Sequence, residues 1–271
     1  MCAGQMGWVR GLAASATMLA AGAGCAINGL WEATREEVLQ RVLPSAVQVV
    51  LERNGERFRT GSGVAIAARR SGAGADCFVL TSGHTVSRLP TPTEAYVLFG
   101  RHRGAGTRAR ATVLAQRETD DMDLALLLAH SNECHPARVG APPALGDPIW
   151  IVAFPWGRNM TLVGGNVSQV NWDHPGDRES APRLMVDASV SYGASGGGVY
   201  EGRTGLLVGL VEGYRTARVS FKGEAASRYI DVPVPGETYV VPLVDIRRFL
   251  RETPHPDLLV ERRLDSEAGA D

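Results

Sequence analysis

Short apolar or alternating runs recur about every ten residues from Ala46 onward, with Asn-Gly, Gly-rich or Pro-rich breaks between them. Runs this short, with turn signals this regular, favour an antiparallel β-sandwich or barrel. Six runs precede residue 136: AVQVVLE, GSGVAIAA, CFVLTS, AYVLFG, RATVLAQ and LALLLA. Six more follow Pro142-Pro143: PIWIVAFP, MTLVGGNVSQV, RLMVDASV, GGVY, LLVGLVE and YVVPL. The chain is therefore predicted to be all-β, with two comparable strand sets divided near residues 136–143.

A short helix is predicted on each side of the strands. Thr34 and Glu37 have the spacing of a capping box before VLQRVL, and that helix must end before Pro44. VDIRRFLR, residues 244–251, predicts the second helix. The boundaries that follow are a linker and helix at 26–41, a first β unit at 42–135, and a second β unit with its helix at 136–252. Residues 253–271 are polar and acidic at their end, and are expected to be a disordered tail.

The N-terminal residues are similar to an export signal. Arg10 precedes GLAASATMLAAGAG, an uncharged run of mostly small residues. AGAGC, ending at Cys25, is similar to the bacterial lipobox, although Gly22 stands where that motif usually has Leu. Residues 1–25 are predicted to be a signal peptide or a lipoprotein signal. The mature chain is then exported to the periplasm or cell envelope, either attached to the membrane through a lipidated Cys25 or secreted.

The two cysteines of the folded part, Cys77 and Cys134, can pair in an exported protein; the alternative is two buried free thiols. Cys134-His135 alone is too small a fragment for a metal site, so neither a metal nor another cofactor is expected. The net charge of −1 gives no electrostatic reason to expect nucleic acid as a partner.

Three residues have the surroundings that nucleophilic catalysis requires, namely a nucleophile, a base and an orienting acid. In YGASGGGV the glycines let the amides of Gly193 and Ser195 converge on one point beside the serine hydroxyl. His84, in FVLTSGHTV, combines a strand end with small neighbours. Asp123 begins an apolar run, where a buried carboxylate needs a partner such as an imidazole N–H. Taken singly, each also has a structural explanation: a Gly-rich turn, a turn histidine and an acidic strand cap.

GASGG also matches the G-x-S-x-G elbow of the α/β-hydrolases. That elbow needs a helix after the serine and a catalytic histidine later in the chain. A β-like run follows Ser195, and the only later histidine is His255 in the polar tail, so we reject this interpretation.

Together these motifs resemble the trypsin-like serine proteases, and within them the bacterial HtrA/DegP-like branch without a PDZ domain, over residues 42–250. The segments that carry the resemblance are GSGVAI, VLTSGHTV, MDLALL, VAFPWG, GGNVS and VDASVSYGASGGGVY. The resemblance implies two six-stranded antiparallel Greek-key β-barrels, the first carrying His84 and Asp123 and the second carrying Ser195. It also implies that His84 is the general base, Asp123 its orienting acid and Ser195 the nucleophile. The amides of Gly193 and Ser195 would form the oxyanion hole.

The chain departs from the family pattern at several positions. Ala194 replaces the usual Asn or Asp before the serine, so activation by a newly cut N-terminus is not expected, and Gly198 replaces a Pro, which should loosen the turn. We expect a substrate pocket near Ser189, Glu212 and Tyr214. Glu212 would attract a basic side chain if it faces the pocket, and would raise a carboxylate pKa if it faces Asp123.

The function expected from these residues is that of an exported serine endopeptidase acting on a protein or peptide substrate. The departures leave a second expectation open, a catalytically dormant protease-fold binding or scaffold protein of the cell envelope. An esterase on the same fold is a third. The oligomeric state is not predicted by any feature of the sequence.

Overall fold

The computed structural model describes residues 33–119, 122–170, 184–222 and 227–259 of the 271-residue chain. The predicted export signal, Cys25 and most of the linker lie outside these residues. No helix within the described ranges is long and apolar enough to cross a membrane.

The first helix, α1, forms where the capping box predicts it and spans Arg35–Val42. The hydroxyl of Thr34 accepts a hydrogen bond from the N–H of Glu37, and the Glu37 carboxylate accepts one from the N–H of Thr34 at 2.8 Å. Two of the otherwise unpaired donors of the first turn are satisfied in this way. Val38 and Val42 are buried, so the helix is fixed to the body of the protein by its apolar face.

Six antiparallel strands form the first barrel. They are β1 Ala46–Arg53, β2 Glu56–Ser71, β3 Gly74–Thr81, β4 Glu94–Phe99, β5 Thr107–Thr119 and β6 Met122–Ser131. Their order around the barrel is β1-β2-β3-β6-β5-β4, and pairing of β4 with β1 closes it. A helix of one turn, α2, follows β3 at Gly83–Val86. The interior is apolar and includes Val49, Leu51, Val79, Phe99 and Leu127, all fully buried.

The second barrel repeats this connectivity. Its strands are β7 Pro148–Ala153, β8 Thr161–Val170, β9 Leu184–Val186, β10 Gly198–Glu201, β11 Leu207–Lys222 and β12 Ser227–Pro242. The order β7-β8-β9-β12-β11-β10 is the order of the first barrel, and β10 pairs with β7 to close it. The predicted fold class, two six-stranded antiparallel barrels, is confirmed. Beyond residue 216, β11 and β12 continue as a two-stranded ribbon that the sequence analysis did not predict.

Besides the apolar interiors of the two barrels, a further apolar cluster lies between the barrels. It packs under the C-terminal helix α3, which spans Leu243–Arg251. The outward side chains of the strands meet there, among them Leu80 and Leu126 from the first barrel and Val152 and Leu210 from the second. Strands buried on both faces read as continuous apolar runs rather than alternating ones. This explains why LALLLA in β6 lacks a polar face.

The expectation of disorder from residue 253 is wrong for the first part of that segment. Leu258 and Leu259 are only 7% and 8% exposed and join the cluster between the barrels. The ring of His255 lies 5.2 Å from that of Phe78, and Asp257 pairs with Arg69 at 2.8 Å. Two leucines and one ion pair are enough to hold the segment, although its average polarity is high. Residues 260–271 lie outside the described ranges.

Cys77, in β3, is joined to Cys134, which follows β6, by a disulfide. Their Cα atoms are 5.7 Å apart, within the range that a disulfide requires. The bridge joins β3 to the segment that follows its neighbour β6, toward the ends of these strands that are remote from His84 and Asp123.

Candidate active site

The carboxylate of Asp123 holds His84 through two contacts. Its Oδ2 lies 2.5 Å from Nδ1 of the ring, and its Oδ1 accepts a 2.7 Å hydrogen bond from the backbone N–H of His84. Asp123 is buried near the start of β6, whereas 42% of the His84 side chain is exposed. Because Nδ1 is engaged by Asp123, Nε2 is the ring nitrogen left to take a proton from another group.

This contact also sets the acidity of the ring. The hydrogen bond with Asp123 raises the pKa of His84 above its ordinary value of 6.5, and burial opposes the rise. The negative charges of Asp123 and Glu118 add to it, and the positive charge of Arg59 subtracts from it. The pair therefore favours the imidazolium, the charge state that a general base acquires during reaction.

Two further residues position the His84 turn, and the sequence analysis identified neither of these roles. A Cβ at Gly83 would lie 1.8 Å from the carbonyl oxygen of Arg117, so a side chain at that position would separate β5 from α2. Nη1 of Arg59 donates hydrogen bonds to the carbonyls of His84, Thr85 and Ser87 at 2.8, 3.3 and 3.0 Å. These contacts fix the backbone around His84 independently of Asp123.

Ser195 lies in the loop between β9 and β10, residues 187–197, which we call the nucleophile loop after the predicted role of Ser195. Two glycines shape this loop. Gly193 has φ of +85° and Gly196 has φ of +82°, the left-handed region that other residues rarely adopt. Ala194 donates to the Ser191 carbonyl at 3.0 Å, and Gly197 donates to the Ala194 carbonyl at 2.8 Å. Among the hydrogen bonds of the described residues, neither the N–H of Gly193 nor that of Ser195 is a donor. Both amides are thus left for an external acceptor.

Ser62, a fully buried residue of β2, holds this loop to the first barrel. Its N–H donates to the Ser195 carbonyl at 2.9 Å, and its hydroxyl donates to the Gly193 carbonyl at 2.7 Å. The same hydroxyl accepts from the N–H of Phe154 at 2.8 Å, and the Ser62 carbonyl accepts from the Thr81 hydroxyl at 2.7 Å. The role of Ser62 was not predicted from the sequence, although the two glycines that flank it in GSGVAI were an available signal.

The loop and the end of β3 meet at Gly196. A Cβ there would lie 2.3 Å from the Ser62 carbonyl oxygen, 2.5 Å from the Thr81 hydroxyl and 2.9 Å from the N–H nitrogen of Ser82. The three predicted residues are therefore brought to one region, with Ser195 one residue from this contact and His84 two residues beyond Ser82. A Ser195–His84 hydrogen bond is not among those formed by the described residues, and catalytic contacts of this kind often tighten only when substrate binds.

Of the three residues predicted to line a substrate pocket, one lines a cavity beside the loop. This cavity has a volume of about 190 Å³ and includes Ser189 and Ala194. Its wall is mainly apolar and is completed by Ile151, Ala153, Pro155, Thr161, Val163, Val190 and Ser191. Glu212 and Tyr214 do not line it. Glu212 occupies a bulge of β11 between Val211 and Gly213.

Tyr214 instead belongs to a row of aromatic side chains next to the loop. Its ring meets that of Tyr192 edge to face at 5.8 Å, and the Tyr192 ring lies 5.2 Å from that of Trp156. Burial and a hydrogen bond with Tyr192 raise the pKa of Tyr214 to about 12. The Tyr192–Tyr214 contact joins the nucleophile loop to β11 across the mouth of the site.

The other chemistry-bearing residues are placed elsewhere. Cys134 is in the disulfide, His130 pairs with Asp76 at 3.1 Å, and His255 packs on Phe78. His174 lies outside the described residues. Within those residues no group of three or more His, Cys, Asp or Glu side chains is arranged to hold a metal ion.

The trypsin-like peptidase domain family matches residues 61–210, more than half of the chain. The chain belongs to the trypsin-like peptidase family. The match includes all the segments that hold His84, Asp123 and Ser195.

Solved structures show the same fold. A serine endoprotease from Yersinia pestis superposes with a TM-score of 0.58 at 19% sequence identity, covering 84% of this chain and 67% of its own. Rv3671c from Mycobacterium tuberculosis, in an inactive serine-to-alanine form, gives a TM-score of 0.55 at 19% identity, covering 80% of this chain and 89% of its own. At this identity the likeness is one of fold. No curated protein sequence matches the chain.

One departure from the trypsin-like pattern has a different effect from the one we expected. Gly198 does not loosen a turn, because it begins β10 and is paired with Leu210 on one side and Val152 on the other. A Cβ at this position would lie 2.5 Å from the ring of Tyr200. Glycine is needed there so that the buried tyrosine can pack against the backbone.

The contacts of Ser62 predict the effect of removing its hydroxyl. Ser62→Ala leaves the buried N–H of Phe154 without an acceptor and should lower the free energy of unfolding by about 1–3 kcal/mol. The Gly193 carbonyl also loses its donor, so the peptide between Gly193 and Ala194, which lies between the amides of Gly193 and Ser195, is held less firmly. We expect a fluorophosphonate to label Ser195 about 10- to 100-fold more slowly, because small misplacements of reacting groups are costly.

Ser45→Ala is the matched control for this prediction. Ser45 is equally buried, and its hydroxyl lies 2.8 Å from that of Tyr200, outside the nucleophile loop. It should lose stability in urea denaturation without slowing the labelling of Ser195. Equal labelling rates for Ser62→Ala and the unaltered protein would show that the hydroxyl has no part in holding the loop.

Proposed function

We propose that this protein is an exported serine endopeptidase that cleaves peptide bonds with Ser195, His84 and Asp123. One observation carries the proposal: a buried carboxylate binds both the ring and the backbone N–H of His84, beside a glycine-shaped serine loop in which two amides donate to no acceptor among the described residues. Membership of the trypsin-like peptidase family supports a peptide or protein as the substrate.

The proposed reaction follows from these positions. His84 takes the proton of the Ser195 hydroxyl through Nε2 as the oxygen attacks the scissile carbonyl. Asp123 stabilises the imidazolium that forms, and the amides of Gly193 and Ser195 donate to the oxyanion of the tetrahedral intermediate. His84 then gives the proton to the leaving amine, which yields an acyl-enzyme. Water, deprotonated by the same histidine, releases the acyl group and restores Ser195.

Labelling with a fluorophosphonate tests the assembled site. We expect the purified protein to be labelled on one serine, and Ser195→Ala to abolish the label. Ser168→Ala, a change at an exposed serine of β8, is the control and should keep it. A folded protein that resists the probe would favour the second candidate, a dormant protease-fold binding or scaffold protein of the cell envelope. An observation in favour of that candidate is that the hydrogen bonds of the described residues do not include one between Ser195 and His84.

The pH dependence of hydrolysis tests the His84–Asp123 pair. Since His84 must be neutral to accept a proton, a raised pKa places the midpoint of the acid limb of kcat/KM above pH 6.5, with activity rising as pH increases. Asp123→Asn removes the largest cause of the rise, so the midpoint should fall and the maximal rate should drop by about 10⁴-fold. A midpoint at or below 6.5 in the unaltered enzyme would contradict the proposed role of the pair.

Export is the remaining part of the proposal. It is supported by the uncharged small-residue segment that precedes Cys25 and by the disulfide, which persists in oxidising compartments. The intact mass of protein from fractionated cells tests it. We expect loss of residues 1–24 with an added lipid on Cys25 if the chain is membrane-attached, or loss of 1–25 without lipid if it is secreted. An intact N-terminus in the cytoplasmic fraction would refute export.

A further inference from the structure

The ribbon formed by residues 216–222 of β11 and 227–233 of β12 has neighbours on neither outer edge among the described residues. β10 pairs with β11 only from Leu207 to Leu210, and β9 pairs with β12 only at Thr238 and Tyr239. Half of the backbone groups of each ribbon strand therefore point away from the partner strand. Open edges of this kind accept a further strand.

The two faces of the ribbon differ in chemistry. Val219 is paired with Ile230, and Ala217 is paired with Val232, so these four side chains share one face with Phe221. The larger ones are well exposed, at 40% for Val219, 52% for Phe221 and 52% for Ile230. The opposite face carries the Arg218–Asp231 ion pair at 2.9 Å, with Arg218 also lying over the Tyr229 ring. Over residues 217–221 and 229–232, one face is thus apolar and exposed, and the other carries the Arg218–Asp231 ion pair and the Tyr229 ring.

The two edges also differ. β12 contains Pro233 and Pro235, which have no N–H and so interrupt its outer edge. β11 has no proline from Gly213 to Phe221, and a Cβ at Gly213 would meet nothing within 4 Å. An incoming strand can therefore pair along β11 but not continuously along β12.

The free edge of β11 begins at the candidate active site. Val211 accepts from Gly196 and donates to the Gly197 carbonyl, both at 2.8 Å, so the start of this edge is bonded to the nucleophile loop. Tyr214, three residues on, meets Tyr192 of that loop. A chain bound at Ser195 in extended form can continue along β11 onto the ribbon, which adds about 20 Å of edge.

We propose that the ribbon is a second substrate-binding site, on which an apolar, extended segment of the substrate adds as a strand to the edge of β11. The inference rests on the proposed peptidase function. Backbone hydrogen bonds supply binding that is independent of sequence, and the apolar face selects segments with apolar residues at alternate positions. The occupant is the substrate polypeptide because the edge is continuous with the nucleophile loop. The bound segment lies about five to ten residues from the scissile bond.

Three fluorogenic peptides test this proposal. One spans only the cleaved residues. The other two add an eight-residue segment of alternating Val and Thr, one on the amino side and one on the carboxyl side. We expect one of the extensions to raise kcat/KM about tenfold in the unaltered enzyme. The double variant Val219→Thr and Ile230→Thr keeps β-branched residues in the ribbon and should abolish this gain. Tyr229→Thr, on the opposite face, should retain it, and N-methylation of alternate amides in the extension should abolish it.

Binding to the Ser195→Ala protein separates this inference from the proposed function. The extension alone, carrying a fluorophore, should bind this variant by anisotropy and should not bind it when Val219→Thr and Ile230→Thr are added. Absence of binding overturns the inference whether or not the enzyme cleaves peptides. If the enzyme is labelled by fluorophosphonate but neither extension raises kcat/KM, this inference is overturned and the proposed peptidase function is not. A dimer that the double variant dissociates overturns it as well, since the face would then join two copies.

Discussion

The hydrogen bonds of one buried serine hold the two halves of the candidate site together. Ser62 belongs to the first barrel, yet its N–H and hydroxyl both donate to carbonyls of the nucleophile loop in the second. Its own carbonyl is bound by Thr81, at the end of the strand that leads to His84. Ser62 is therefore bonded both to the loop that carries Ser195 and to the strand that leads to His84. Each barrel alone carries only part of the chemistry.

Much of the fold could be predicted from the sequence because burial controls it locally. Strands that are buried on both faces give apolar runs such as LALLLA. The turns between strands require Gly, Asn or Pro. The start and the end of a strand can therefore both be recognised within a short stretch of sequence. The capping box of α1 is local in the same way. His84, Asp123 and Ser195 were identified because each is embedded in a run of small or apolar residues, which is unusual for a polar side chain.

The features that were missed depend on contacts between distant parts of the chain. Ser62 meets Gly193 across 131 positions, and the two glycines that flank Ser62 do not indicate which distant segment it contacts. The ribbon was missed because Pro233 and Pro235 interrupt the sequence of its second strand, although residues 217–221 alternate apolar and polar side chains as a strand does and pairing of β11 with β12 continues through these residues. The packed segment at Leu258 was missed because its two leucines are surrounded by polar residues. In each case the partner, rather than the local pattern, decides the structure.

The burial of Ala194 and the hydrogen bonds of Ser62 explain how the loop is held without a carboxylate at position 194. Ala194 is 1% exposed within the apolar interior of the second barrel, where an unpaired charge would be costly. The conformation of the loop is held instead by neutral hydrogen bonds from Ser62 to the carbonyls of Gly193 and Ser195. Neutral donors do not titrate and need no newly formed N-terminus as a counter-ion. The amides of Gly193 and Ser195 are consequently positioned without an ion pair.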